Sequence, residues 1–241
     1  MIADFGFGVI VATFLLALFS VGTAMYGALV KSYRWAESAR RAMLLTFPLI
    51  TLASLALIYL LVTGHYELKY VYSVTSNSMP LYLKITAWWG GQAGSLLFWS
   101  WLMSAFASAV TLRKWERDRE FLPWVIVVSS VTLAFFLALT IFFENPFARW
   151  WQTASGEVAA MFRPAGAIPL TPSDGMGLNP LLRHPGMIIH PPCCTSALSP
   201  SSSLMLSPSR RSLPAAPTTA GSASPAAGRW WPGCSSRWDW Y

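Results

Sequence analysis

Charge is what this sequence has least of: Asp, Glu, Lys and Arg together make up 11% of its 241 residues, against about a quarter in an ordinary soluble domain. That shortage excludes a soluble globular fold. An apolar content of 54% and a mean hydropathy of +0.46 exclude disorder throughout. Histidine and cysteine are scarce too, with three of each. There is no Cys-x-x-Cys, no zinc-type Cys/His spacing, no Gly-x-Ser-x-Gly elbow and no phosphate loop, so dithiol redox, structural zinc and nucleophilic hydrolase chemistry have no support. Cys193 and Cys194 are adjacent, a spacing at which cysteines rarely pair with each other.

What is present is apolar length. Runs of about 20 residues, enough to cross a hydrocarbon core of about 30 Å, cover roughly Phe5 to Val30, Ala42 to Thr63, Ser95 to Leu112 and Leu122 to Phe143. The expected fold class is therefore all-α: a polytopic integral membrane helical protein with four N-terminal transmembrane helices and a disordered C-terminal tail. The first run is too long for a removable signal peptide, carries Asp4 where a basic start belongs, and is followed at once by further spans.

The formal net charge of +7 sits mostly between these runs, as Lys31, Arg34, Arg40 and Arg41 after the first and Arg113, Lys114, Arg117 and Arg119 after the third. Charge placed this way orients a membrane chain and does not read as a nucleic-acid surface. Both basic segments are expected on the cytoplasmic side of a bacterial inner membrane. The N-terminus, the segment at about 64–94 and everything after Phe143 are expected on the periplasmic side.

The outward segments are aromatic and rich in glycine. Thr86-Ala-Trp-Trp-Gly-Gly-Gln-Ala-Gly-Ser-Leu-Leu-Phe-Trp-Ser-Trp101 sets Trp88, Trp89, Trp99 and Trp101 around Gly90, Gly91 and Gly94. Small residues admit a close neighbour and indoles offer broad apolar faces, which suits a planar hydrophobic molecule. Helix packing through Gly94 and Ser95 with interfacial belt tryptophans is the reading that pattern alone favours, and a belt role accounts well for Trp35, Trp115 and Trp124. Further on, Asp174-Gly-Met-Gly-Leu-Asn-Pro-Leu-Leu-Arg-His-Pro-Gly-Met-Ile-Ile-His-Pro-Pro192 carries His184 and His190, either of which could ligate iron or simply be solvated. His65 has no such context.

Taken together, residues 1–192 resemble the CcmF-type cytochrome c biogenesis proteins, the haem lyase component of the bacterial multi-subunit maturation system. The resemblance is carried by Thr75-Ser-Asn-Ser78, Trp88-Trp-Gly90, Gly94-Ser-Leu-Leu-Phe-Trp99, Asn145-Pro-Phe147, Gly177-Leu-Asn-Pro-Leu-Leu182 and Pro185-Gly-Met-Ile-Ile-His-Pro-Pro192, in that order. It implies that His190 is a periplasmic axial ligand to haem iron, that b-type haem is substrate or bound cofactor, and that the activity is thioether formation with an apocytochrome c; the family's own tryptophan-rich signature would lie beyond residue 192, and Trp88, Trp89 and Trp99 are candidate haem-facing aromatics from their pattern alone. It also implies as partners a periplasmic haem chaperone, other maturation subunits and membrane lipid. No ligand role is carried to His184. Pro191 restricts the backbone of His190, so its imidazole would leave the chain in a narrow range of directions.

Residues 1–143 thus read as a four-span region, 144–192 as a periplasmic segment and 193–241 as something else. The last part has no Val, Ile, Phe, Lys or Glu and is dominated by Ser, Ala, Pro, Arg, Gly and Trp. Loss of one base near Pro191 or Pro192 accounts for it. Restoring the frame forces Leu from Cys193-Cys194, Val from Trp230-Trp231, Ala from Trp231-Pro232 and Val from Trp240-Tyr241, all apolar. On that expectation the second axial ligand is missing and this chain alone is inactive. A small-solute or ion transporter or channel, or a purely structural scaffold, are the competing classes; the first is disfavoured by spans almost free of mid-depth ionisable residues.

Overall fold

The computed structural model describes residues 1–112, 121–154, 156–186, 188–189 and 193. It is largely helical, with four helices long and apolar enough to cross a membrane: α1 (Ile2–Leu29), α2 (Tyr33–Thr63), α5 (Gln92–Leu112) and α6 (Leu122–Phe142). Two short helices, α3 (Lys69–Val74) and α4 (Leu81–Thr86), lie in the connection between α2 and α5. The expected tail and the basic residues from Arg113 to Arg119 fall outside the described residues.

Neighbouring spans pack in the order α1, α2, α5, α6 and back to α1, closing a ring. In lipid no hydrophobic force drives helices together, so close approach of small residues has to do it. The inward stripe of α1 is Ala3, Gly6, Thr13, Ala17, Ser20, Ala24 and Gly27, all buried, with Ile10 the one bulky member. Where three helices meet, Ser130 of α6 donates to Ser20 of α1 at 3.0 Å, and Ser20 donates to the Ala39 carbonyl of α2 at 3.1 Å.

Helix α2 begins nine residues before the expected start of its span at Ala42, so Arg34, Arg40 and Arg41 sit on a helix rather than in a loop. Apolar length cannot show this extension. It is supported by Glu37, which meets Arg40 at 3.5 Å and Arg41 at 3.4 Å across one helical turn.

After α6 the chain forms a small antiparallel sheet, which alternation of apolar and polar residues does not announce. Its strands are β1 (Arg149–Thr153), β2 (Gly156–Ala160) and β3 (Ile168–Pro169), in the order β2-β1-β3. Trp151 lies opposite Val158 on one side and Pro169 on the other. The sheet is fastened to the α2–α3 connection, where Trp150 N–H donates to the Glu67 carbonyl and Lys69 N–H to the Ala148 carbonyl, both at 2.9 Å.

Candidate functional site

The motifs singled out in the sequence come together at one end of the ring, in the layer formed by residues 64–94 and 145–186. Three of them interlock. Asp174 accepts from the backbone N–H of Asn77 at 2.8 Å and of Gly175 at 2.7 Å, and the Asn77 amide donates to the Ser173 carbonyl at 3.2 Å. Met176 N–H then donates to the Tyr72 carbonyl and Gly177 N–H to the Thr75 carbonyl, at 2.8 and 3.1 Å. Gly175 lies so close to the Thr75 carbonyl that a side chain there would collide with backbone. Gly177, with φ +84°, takes a left-handed turn that favours glycine. Leu178, 2% exposed, reaches the Gly90 turn, where a Cβ would strike its side chain. The two N–H donors hold the Asp174 carboxyl below its ordinary range.

Beneath this clamp, the Trp88–Gly91 turn is set by a fully buried tyrosine. Tyr70 donates to the Ala87 carbonyl at 2.7 Å, and Gly94 sits against both the Tyr70 hydroxyl and the Trp88 carbonyl, leaving no room for a Cβ. Burial pushes the Tyr70 phenol up, so it remains a donor. Tyr66, 5% exposed, donates to Asn77 Oδ1 at 3.0 Å, and burial together with the nearby Asp174 charge raises it as well. Neither tyrosine was singled out in the sequence: Tyr66 lies in the turn before α3 and Tyr70 on α3, so no local periodicity joins them.

The indoles are only partly brought together. Trp88 packs edge-on against Trp89, Phe98 and Trp101 at centroid distances of 6.3, 5.0 and 5.7 Å. Trp101 Nε1 donates to Thr51 Oγ1 of α2 at 3.0 Å. Trp99 is on another face of α5, 41% exposed and edge-on to Phe136 of α6 at 5.8 Å. A cleft of about 470 Å³ at this end includes Gly91, Gln92, Lys69 and Asn145 in its lining but neither Trp88 nor Trp89. The Nε1–H groups of Trp88 and Trp89 are nevertheless buried with no hydrogen-bond partner, and a buried donor left unmade is costly.

Asn145 Oδ1 accepts from Phe147 N–H at 2.9 Å and so turns the chain, placing the fully buried Phe147 ring against Gly6 of α1. Arg149 grips Asp4 through two bonds of 2.9 and 2.8 Å. Of the three histidines, His65 is solvent-facing with Nδ1 3.9 Å from Glu67, and His184 is exposed with Nδ1 accepting from Gly186 N–H at 3.2 Å. His190 lies outside the described residues. The approach to it is not: the short 3₁₀ turn Pro180–Arg183 is capped by Asn179, Arg183 donates to the Leu178 carbonyl at 3.1 Å, and Ile188 N–H donates to the His184 carbonyl at 3.1 Å. Among the described residues no group of three or more His, Cys, Asp or Glu could hold a metal ion.

The family described as "Cytochrome C assembly protein" matches residues 89–207. The "Cytochrome c-type biogenesis protein CcmF" of Pseudomonas aeruginosa is 29% identical over 192 residues, 80% of this chain and 27% of that protein. The protein of the same name from Escherichia coli is 28% identical over 192 residues, with the same coverage of each chain. The "Probable cytochrome c-type biogenesis protein NrfE" of Escherichia coli is 31% identical over 162 residues, 66% and 26%. A solved structure, "Cytochrome c Heme Lyase CcmF", shares the fold with a TM-score of 0.57 at 24% identity, covering 61% of this chain and 25% of that one. The chain thus spans about a quarter of the length of the curated relatives it matches.

Proposed function

The chain belongs to the CcmF-type cytochrome c biogenesis proteins, a multi-pass family of the bacterial inner membrane, and from that premise we propose that it presents haem to apocytochrome c as part of a haem lyase. The observation that carries the reading is the interlock itself. Thr75–Ser78, Trp88–Gly90 and the start of Gly177–Leu182, three of the elements on which the resemblance rests, meet in one layer: Gly177 N–H donates to the Thr75 carbonyl and Leu178 packs on the Gly90 turn. Such a layer holds a substrate in place without adapting to it, and holding two reactants in register is what thioether formation needs.

The chemistry itself belongs to the vinyl and thiol groups: each S–H adds across a C=C, so no oxidant is consumed. The protein's part is orientation. His190, which the Asn179-capped turn and the helical turn after His184 lead into, serves as axial ligand to the iron. Trp88 and Trp89 supply aromatic surface toward the porphyrin. Trp99, turned toward α6, takes a membrane-interface role in this reading rather than the haem contact expected of it. The motif-bearing layer faces the periplasm, and the maturation partners, a haem chaperone, other subunits and apocytochrome c, meet it there. A transporter has less to support it, because the ionisable residues of the four spans are near helix ends: Asp4 on α1 and Arg34 to Arg41 on α2, with none on α5 or α6.

Haem titration of the purified chain tests this. The expected result is a Soret band that is lost in His190→Ala and weakened in Trp88→Ala; a wild-type chain with no Soret band overturns the reading. The out-of-frame origin of the tail after Pro192 is part of the proposal and is tested separately by the DNA around the codons for Pro191 and Pro192. A genomic sequence encoding the tail in register, which the match through residue 207 would favour, overturns it.

A further inference from the structure

The opposite end of the ring holds a second cavity, of about 350 Å³, that the haem reading does not use. It is lined by the end of α1 (Gly27 and Ala28), the α1–α2 turn (Lys31 and Ser32) and the start of α6 (Pro123 and Trp124), with Tyr33 and Ala36 of α2. Among the described residues that line it, Lys31 is the one charged group. Lys31 lines it and forms no ion pair among the described residues. Glu37, the acid nearest to it among the described residues in sequence, is engaged by Arg40 and Arg41, and Arg34 has no acidic partner among the described residues either; Glu116, Asp118 and Glu120, which precede Pro123, lie outside the described residues. The Ser32 hydroxyl makes no capping bond to the helix it precedes, and the first turn of α2 contains no acidic residue.

The position of Lys31 is fixed as well as charged. Its φ of +52° is left-handed, a conformation that costs a non-glycine residue of order 1 kcal/mol or more. That geometry closes the end of α1, with Ser32 N–H donating to the Gly27 carbonyl at 3.1 Å. The α1–α2 turn is tight because Gly27 packs against the backbone of Ala36, where a Cβ would come within 2.9 Å of the nitrogen. Beside the cation, Trp124 is 47% exposed and Tyr33 55%, and exposed indole and phenol rings at a span's end are the side chains that settle at lipid headgroups.

We propose that this cavity is a binding site for the phosphate headgroup of an anionic phospholipid, with Lys31 against the phosphate, Ser32 as a neighbouring hydroxyl donor and Trp124 as the wall toward the acyl chains. A zwitterionic lipid presents the same phosphate, but its ammonium meets the cations of the 31–41 segment unfavourably. A free phosphate lacks the apolar part that Trp124, Pro123 and Ala28 would cover. The site is independent of haem and places a specific lipid at the face opposite the motif-bearing layer.

The test is native mass spectrometry of the purified full chain, titrated in turn with phosphatidylglycerol, phosphatidylcholine and inorganic phosphate. One retained phosphatidylglycerol is expected, with phosphatidylcholine at least fivefold weaker and phosphate not retained. Lys31→Gln should weaken phosphatidylglycerol about fivefold, the size of one lysine's attraction to an anionic surface. Arg41→Gln removes an equal charge from the same side of the molecule but outside the cavity and should leave binding unchanged. Lys31→Gly removes the cation while relieving the left-handed backbone, so it should bind as weakly as Lys31→Gln and fold at least as well as the parent chain. Equal retention of the two lipids, equal loss in Arg41→Gln, or retention of phosphate alone would each overturn the proposal.

Discussion

The motif-bearing layer and the four-helix ring are held by different means. In the layer, contacts are polar, directional and backbone-to-backbone: Asp174 to Asn77 and Gly175, Met176 and Gly177 to the Tyr72 and Thr75 carbonyls, Tyr70 to Ala87. Three glycines there, Gly90, Gly94 and Gly175, have neighbours where a side chain would stand. In the ring, contacts are small side chains and a few weak hydroxyl bonds; Gly8 and Gly22 of α1 have open space at the Cβ position, and close approach is confined to the two ends of α1, at Gly6 against Phe147 and Gly27 against Ala36. One region specifies atom positions and the other specifies only proximity. The motifs on which the resemblance rests lie mostly in the first, where a change displaces backbone, whereas a membrane span accepts apolar residues of similar size more readily.

The sharpest way to break this contrast is at Gly94. Gly94→Val places atoms where the Tyr70 hydroxyl and the Trp88 carbonyl already are, and overpacking of that kind costs about 3 kcal/mol. Thermal unfolding in detergent, followed by tryptophan fluorescence, should show a large drop in midpoint, while Gly22→Val in the ring should leave the midpoint unchanged. Next comes Tyr70→Phe. It removes a donor without changing shape and leaves the Ala87 carbonyl with its 3.2 Å bond from Gly90 N–H, for a loss of about 1 kcal/mol. If both layer variants unfold like the parent chain, the layer is not the rigid body inferred from its bonds.

The clamp between Asp174 and Asn77 should respond to pH. Its carboxyl is held below the ordinary range by two backbone N–H groups, so the ionised form is the one that the docked loop stabilises. That stabilisation is complete above the ordinary carboxylate value of about 4 and is lost as pH falls below it, through the lowered one. Hydrogen exchange over residues 173–178 is expected to speed up on acidification across that window. Asp174→Asn should exchange faster at neutral pH and show no such acid dependence.

How much of this is legible beforehand follows from the same contrast. The spans are readable because length and hydropathy are local properties, and their ends differ from expectation mainly at Tyr33, where Glu37–Arg ion pairs extend a helix beyond its apolar part. The aromatic and glycine motifs are readable as motifs, yet their meeting is not. Asn77 and Asp174 are 97 residues apart, and nothing in either segment names the other. The sheet escapes notice because β3 has two residues and β1 is ordered by backbone bonds to Glu67 and Lys69 rather than by its own alternation. Trp99 and Trp101 look equivalent in sequence, but two residues on a helix differ by about 200° in direction, which sends Trp101 to Thr51 and Trp99 to Phe136.

The smallest effect belongs to the ring and is the best check that the two regions differ in kind. Ser130→Ala deletes the donor to Ser20, while Ser20 keeps its own bond to the Ala39 carbonyl, so no buried group is stranded. Interhelical hydroxyl bonds in membranes average about 0.6 kcal/mol, which for a chain of this size is a shift of about 1–2 °C in Tm. The small side chain that replaces serine keeps the helices at the same distance, so packing should absorb the change. A loss as large as that of Tyr70→Phe would mean that the Ser20–Ser130 bond sets the positions of three helices. The ring would then be a specified structure like the layer above it, and the separation of roles between them would fail.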